Sequence, residues 1–277
     1  MKNVQLPSGE SVPALGLGTW RMGEHPERHA EDVEIIRIAL DLGISLIDTA
    51  EMYGEGKTET LIGEAIEGRR DEVFLISKVY PHNATRQGAV AACERSLQRL
   101  KTDRIDLYLL HWRRNVPLAE TMEAFMTLQQ AGKIRHYGVS NFDLSDMQEL
   151  WTVPGGAAIA TNQLLYNLAR RGVEWDLLPW FRERRIPLMA YSPIEQGKLV
   201  RHPKLVDFAR RYDMTPAQAA LGWLLSKDDV IAIPKTSRRE RLQENLGALK
   251  RPLTSVQLAE LDRLFPPPAG PRPLDLL

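Results

Sequence analysis

Eight short apolar, β-branched runs alternate with eight longer amphipathic stretches along this chain, and no other feature restricts its fold as tightly. The runs fall at about 14–18, 45–48, 73–77, 105–110, 134–139, 157–161, 187–191 and 230–233. The helical patterns lie near 29–42, 58–67, 85–100, 119–131, 145–151, 174–185, 205–225 and 239–249. Parallel neighbours need a crossover of about a dozen residues or more, and this spacing supplies one each time. Eight such units in about 230 residues match the size and order of a closed (β/α)₈ barrel.

The competing architecture is a doubly wound open sheet, which usually carries a glycine fingerprint after its first strand. Gly16-Leu17-Gly18-Thr19-Trp20 lacks the third glycine and opens no helix, and no P-loop is present. The expectation is therefore α/β: a single (β/α)₈ barrel with extra helices. A short hairpin is expected ahead of it at residues 2–12, where Val4-Gln5-Leu6 and Ser11-Val12 flank Ser8-Gly9. The one low-complexity stretch, Pro266-Pro267-Pro268-Ala269-Gly270-Pro271, lies too near the end to separate domains, so residues 1–277 are expected to form one.

Local punctuation supports the helices. Thr215-Pro216-Ala217-Gln218 reads as a capping box with proline at the first helical position. Ser145 with Gln148 and Thr254 with Gln257 repeat the box, and Gly43 and Gly132 stand where helices should stop.

Composition excludes several partners. Lys+Arg and Asp+Glu balance at 36 each, so neither nucleic acid nor an anionic membrane is expected to be attracted. No apolar stretch is long enough to span a bilayer, and Met1-Lys2-Asn3-Val4-Gln5 starts no signal peptide. The single Cys93 cannot form an internal disulfide, and a cytoplasmic location is expected. Its neighbours Ala91, Ala92 and Leu97 make it a small core residue rather than a nucleophile.

Three titratable side chains each close an apolar run: Asp48 after Ser45-Leu46-Ile47, Lys78 after 73–77, and His111 after 105–110. Tyr53 follows just past the first. Singly, each has an ordinary explanation: a turn cap, a solvated edge charge, a satisfied histidine, a packed loop aromatic. On consecutive parallel strands they would meet at one edge of the barrel and form a proton-transfer site. A phenol in water has a pKa near 10 and donates poorly at neutral pH. A nearby ammonium is expected to lower that value, a carboxylate to keep the ammonium charged, and a neutral imidazole to orient a substrate oxygen. Such a group suits a reaction in which negative charge grows on a carbonyl oxygen.

Ordered across the whole length, these and other segments resemble the aldo-keto reductases. The residues that carry the likeness are Asp48-Thr49-Ala50-Glu51-Met52-Tyr53-Gly54, Ser77-Lys78, Leu97-Gln98-Arg99-Leu100 and Asp106-Leu107-Tyr108-Leu109-Leu110-His111-Trp112. Gly132-Lys133-Ile134-Arg135, Gly138-Val139-Ser140-Asn141-Phe142, Asn162-Gln163, Ala190-Tyr191-Ser192-Pro193 and Ile233-Pro234-Lys235 continue it. Within the family the chain is most similar to compact bacterial members described as methylglyoxal reductases.

The resemblance implies an NADPH-dependent reductase of small carbonyl compounds, working by direct hydride transfer without a metal. Tyr53 would be the general acid, Lys78 its modulator, Asp48 the partner of Lys78 and His111 the orienting group. Ser140, Asn141 and Gln163 match the positions that hold the nicotinamide carboxamide. Tyr191 matches the stacking aromatic, and Gly18, Thr19, Asp48 and Ser192 complete that end. Lys235, Thr236, Ser237 and Arg241 match the 2′-phosphate end, with Glu244 and Asn245 at adenine. Phosphate sites after the last barrel strands suit this placement, and the cluster of cations favours NADPH over NADH. Arg238 stands where relatives often carry a small hydroxyl residue, which leaves its role open.

Trp20 and Trp112, with Tyr53 and His111, are expected to wall the substrate pocket. The short Trp112-Arg113-Arg114-Asn115-Val116-Pro117 segment and the short tail after Phe265 suggest an open, permissive site. Arg113 and Arg114 are candidate attractors for an anionic substrate, though exposed arginines more often solvate a loop. A monomer is expected. The alternatives are a non-catalytic relative of the same fold and a metal-dependent barrel hydrolase. The second needs paired His-x-His ligands, and His25, His29, His82, His111, His136 and His202 are not so spaced.

Overall fold

The structure, a computed structural model, describes residues 2–277. A two-stranded antiparallel hairpin, β1 (Asn3–Gln5) and β2 (Ser11–Pro13), comes first, with Val4 opposite Val12. Eight parallel strands follow: β3 (Leu17–Gly18), β4 (Leu46–Asp48), β5 (Phe74–Val79), β6 (Ile105–Leu110), β7 (Ile134–Ser140), β8 (Asn162–Leu165), β9 (Leu188–Tyr191) and β10 (Val230–Ala232). Each pairs with the next in chain order. Parallel bridges Leu15–Ala232 and Gly18–Lys235 join the first strand to the last, closing a (β/α)₈ barrel. The seam is tight. Gly16 N–H donates to Ala232 O at 2.9 Å, and a Cβ on Gly16 would stand 2.3 Å from Leu46 Cδ2.

Among the described residues, ten α-helices surround the strands: α1 (His29–Asp41), α2 (Lys57–Ala65), α3 (Arg86–Leu100), α4 (Leu118–Gln130), α5 (Leu144–Thr152), α6 (Leu177–Arg184), α7 (Pro203–Arg211), α8 (Pro216–Leu225), α9 (Arg239–Lys250) and α10 (Ser255–Leu264). The helix layer outside and packed side chains inside bury both faces of the barrel strands. Every residue of β5 and β6 is buried, which is why the sequence shows continuous apolar runs there rather than alternation. Cys93, on α3, belongs to this core, and burial pushes its thiol up to about 12.

Four local expectations need correction. The run at 157–161 is only the lead-in to β8: Gly155 turns the chain at φ 81°, residues 156–158 form a 3₁₀ turn, and the regular ladder starts at Asn162. Apolarity placed the strand too early because Asn162 and Gln163, though polar, are buried. The stretch 205–225 is two helices, broken at Asp213 (φ 50°), and the Thr215–Gln218 capping box starts the second. The stretch 174–185 opens with a 3₁₀ turn at 172–174, and α6 itself begins at Leu177. On α5 the cap is Asp143 with Asp146, while the Ser145 hydroxyl donates to the Asp143 carboxylate at 2.7 Å. The Thr254–Gln257 box forms as read, and Gly43 and Gly132 end their helices at φ 83° and 71°.

Candidate active site

Strand register brings the quartet together. Asp48 ends β4 and Lys78 lies near the end of β5, one strand over. His111 follows β6 directly, its N–H donating to Val79 O at 3.1 Å. All three therefore project at the C-terminal mouth of the barrel, where such folds place their chemistry. Tyr53 arrives from the next turn. Gly54, Glu55 and Gly56 take φ values of 55°, 56° and 88°, folding the chain back over the mouth.

Lys78 is fully buried and spends its hydrogen bonds on Asp48 Oδ1 (2.8 Å), Asp48 Oδ2 (2.9 Å) and Thr49 O (2.7 Å). Its Nζ stands 5.2 Å from the Tyr53 ring centre. Burial draws its pKa below the ordinary lysine value, and Asp48 works against that shift. A second bond fixes the carboxylate: Gln163 Nε2 donates to Asp48 Oδ1 at 2.8 Å. Removing one member of such a pair leaves an uncompensated charge in the core, at a cost of about 3–5 kcal/mol.

The phenol differs from the sequence expectation. Burial first, and the Asp48 carboxylate second, raise the pKa of Tyr53 well above its usual value. The ammonium gives its hydrogen bonds to Asp48 and Thr49 rather than to the phenol. Tyr53 accordingly keeps its proton at neutral pH, the form a proton donor requires. Burial and then the charge of Lys78 push His111 well below the usual histidine range, so its imidazole is neutral. Its ring packs edge-on against Tyr53 (5.9 Å) and Trp112 (4.8 Å), and its buried Nδ1 has no protein partner. Among the described residues, no group of three or more His, Cys, Asp or Glu is placed to hold a metal.

The four residues meet a cleft of about 580 Å³. Tyr53, Asp48 and His111 line it and Lys78 lies beneath. Gly18, Thr19, Trp20, Trp112, Ser140, Asn141, Gln163, Tyr191 and Ser192 also line it. Thr19 is pinned through Oγ1 to Asp48 O at 2.8 Å. Ser140, Asn141 and Tyr191 form one chain: Ser140 Oγ accepts from Asn141 Nδ2 (3.2 Å), and Asn141 Oδ1 accepts from Tyr191 OH (3.0 Å).

A second cleft of about 450 Å³ adjoins the first, and Ile194, Gln196, Gly197, Lys235 and Arg241 line both. Thr236, Glu244 and Asn245 lie in the second. Ser237 lines neither and instead accepts a hydrogen bond from Lys235 Nζ at 2.7 Å. Burial lowers the pKa of Lys235. Neither Lys235 nor Arg241 pairs with a carboxylate among the described residues, and α9 begins beside them with no side-chain cap. Two clefts in line, one ending at free cations and an uncapped helix N-terminus, fit an elongated, phosphate-bearing molecule.

Arg113 does not face the cleft: it is paired with Asp146 and Glu149 of α5, both at 2.7 Å, and Arg114 is exposed outside it. The short tail reaches the site: Leu277, itself exposed, lines the first cleft. Lining residues not named from the sequence include Arg21, Met52, Ile194, Gln196, Gly197, Arg201 and Leu277. The one available signal was the apolar end of the tail, of which Leu274 packs against the core while Leu276 and Leu277 stay exposed.

With that geometry in hand, comparison with known proteins is decisive. The model of the Aldo/keto reductase family matches residues 14–265. The chain belongs to that family. It is 46% identical to the methylglyoxal reductase YeaE of Escherichia coli, over all of this chain and 99% of that one. A crystal structure of an aldo/keto reductase from Klebsiella pneumoniae in complex with NADP and acetate superposes with a TM-score of 0.96. That protein is also 46% identical, over 100% of this chain and 99% of its own. The thermostable aldo-keto reductase Tm1743, solved with the inhibitor epalrestat, gives 0.89 at 39% identity, over 95% of this chain and 100% of that one. Family membership agrees with the barrel.

Proposed function

We propose that this chain is an NADPH-dependent reductase of small aldehydes, ketones and 2-oxoaldehydes, with methylglyoxal a representative substrate. The observation that carries the reading is a protonated phenol beside a neutral imidazole, over a buried ion pair, in a cleft that runs on to unpaired cations. The Escherichia coli relative is named for methylglyoxal and the Klebsiella structure holds NADP, which supports the same chemistry here.

When bound, NADPH supplies a hydride to the carbonyl carbon. Tyr53 delivers a proton to the oxygen as charge grows there. The Lys78 ammonium, 5.2 Å from the ring centre, is the positive charge nearest the phenolate left behind. His111, neutral, donates its N–H to the same oxygen and fixes its direction. Ser140, Asn141 and Gln163 would hold the carboxamide, with Tyr191 against the ring and Gly18, Thr19 and Ser192 nearby. Lys235, Thr236 and Arg241 would hold the 2′-phosphate, with Ser237 steadying Lys235 and Glu244 and Asn245 facing adenine. Trp20 and Trp112 would wall the substrate.

The reading extends to a monomeric, cytoplasmic enzyme of one domain across residues 1–277, with no nucleic-acid or membrane partner. Among the described residues no helix is long and apolar enough to cross a membrane. The test is to follow NADPH and NADH absorbance with a panel of small aldehydes and 2-oxoaldehydes. Consumption of NADPH in preference to NADH is expected. Failure to oxidise either nucleotide with any member would end the proposal.

A further inference from the structure

The segment after β9 crosses between the two clefts in an unusual conformation. Ser192, Glu195 and Gln196 have φ values of 46°, 51° and 51°, and Gly197 follows at 85°. Non-glycine residues stay in the left-handed region only when their surroundings hold them there. The holding groups are visible. The Glu195 side chain, though ionisable, is buried, and accepts from Asn167 Nδ2 at 2.8 Å and from Arg170 Nε at 3.0 Å. Asn167 Nδ2 also donates to Ser192 O at 2.9 Å. Asn167 is itself fixed, its Oδ1 accepting from the amides of Ala169 and Arg170.

Arg170 has a second arm. Its Nη1 bonds Asp275 Oδ1 at 3.0 Å, and Asp275, Arg272 and Pro273 pack beside Gly172. Two residues on, Leu277 lines the first cleft together with Tyr53 and Trp112. One guanidinium thus ties together a strap shared by both clefts and the tail that bounds the first.

We propose that Arg170 is a positioning residue coupling the nucleotide-side strap, residues 192–197, to the tail that walls the carbonyl pocket. Ordering either segment orders the other, so nucleotide and carbonyl bind cooperatively. The coupling rests on the reductase reading for its functional consequence, but its physical core does not need it. Loosening the tail must loosen the strap even in ligand-free protein.

The test is therefore hydrogen exchange on ligand-free wild type, Asp275→Asn and Arg170→Ala, with NADPH titration and carbonyl KM measured in parallel. Asp275→Asn, a change confined to the tail, should speed amide exchange across 192–198 by about two- to five-fold, the size a partly exposed ion pair supports. It should weaken NADPH and raise the carbonyl KM by similar factors. Adding Asp275→Asn to Arg170→Ala should change nothing further, because the bridge is already gone. Unchanged strap exchange in Asp275→Asn would overturn the coupling, and so would additive effects in the double variant. A wild type that binds no nucleotide would overturn the reductase reading, while the exchange comparison still decides the coupling.

Discussion

Replacing Tyr53 by phenylalanine separates the chemistry from everything else the residue does. The ring keeps its edge contact with His111 at 5.9 Å and its place 5.2 Å from Lys78 Nζ. The hydroxyl anchors nothing in the fold, since Lys78 gives its hydrogen bonds to Asp48 and Thr49. Stability should therefore change by less than about 0.5 kcal/mol, the range of substitutions that break no packing or buried bond. The proton is what disappears. A positioned general acid is worth roughly 10²–10⁴-fold, or about 2.7–5.4 kcal/mol of barrier. Single-turnover NADPH oxidation with saturating methylglyoxal is the suitable assay, because slow nucleotide release can hide a chemical defect in steady-state turnover. NADPH affinity, read from protein fluorescence, should stay within about two-fold of wild type on the same argument. A single-turnover rate within about five-fold of wild type would remove Tyr53 as proton donor, because that is far below the general-acid range.

Two further outcomes test the surroundings. His111 has a folded-state pKa pushed well below its ordinary value, so below about pH 6.5 the unfolded chain binds a proton that the native protein refuses. Stability should then be flat with respect to this group above pH 6.5 and fall below it, by at most about 1.4 kcal/mol per pH unit. Urea unfolding of wild type against His111→Asn should show the extra slope in wild type alone, and parallel slopes would contradict the burial argument. At the other end of the site, Arg241→Ala should weaken NADPH roughly ten- to hundred-fold, the worth of one charge-assisted hydrogen bond, while NADH changes little. Equal weakening of both nucleotides in a binding titration would show that Arg241 makes no phosphate contact.

Much of this protein is written locally. The two periods, strand and helix, repeat often enough to specify a (β/α)₈ barrel, and the Thr215 and Thr254 boxes mark two helix starts at the right residues. Asp48, Lys78 and His111 could be singled out because each closes an apolar run, and parallel register then carries them to one mouth. Where polarity and burial parted company, local reading slipped: β8 begins at Asn162 because a polar strand can be buried beside a site. Other properties were not local at all. The direction of the Tyr53 shift comes from burial and from the nearness of Asp48, and both exist only in the folded chain. Arg113 turned from the cleft because Asp146 and Glu149, more than thirty residues on, lie within reach. Leu277 lines the first cleft, and two residues before it Asp275 pairs with Arg170 across 105 residues of chain. Periodicity and caps act over a few bonds and survive in a string of letters. Electrostatic balance and long-range pairing are sums over neighbours that exist only once the chain has closed on itself.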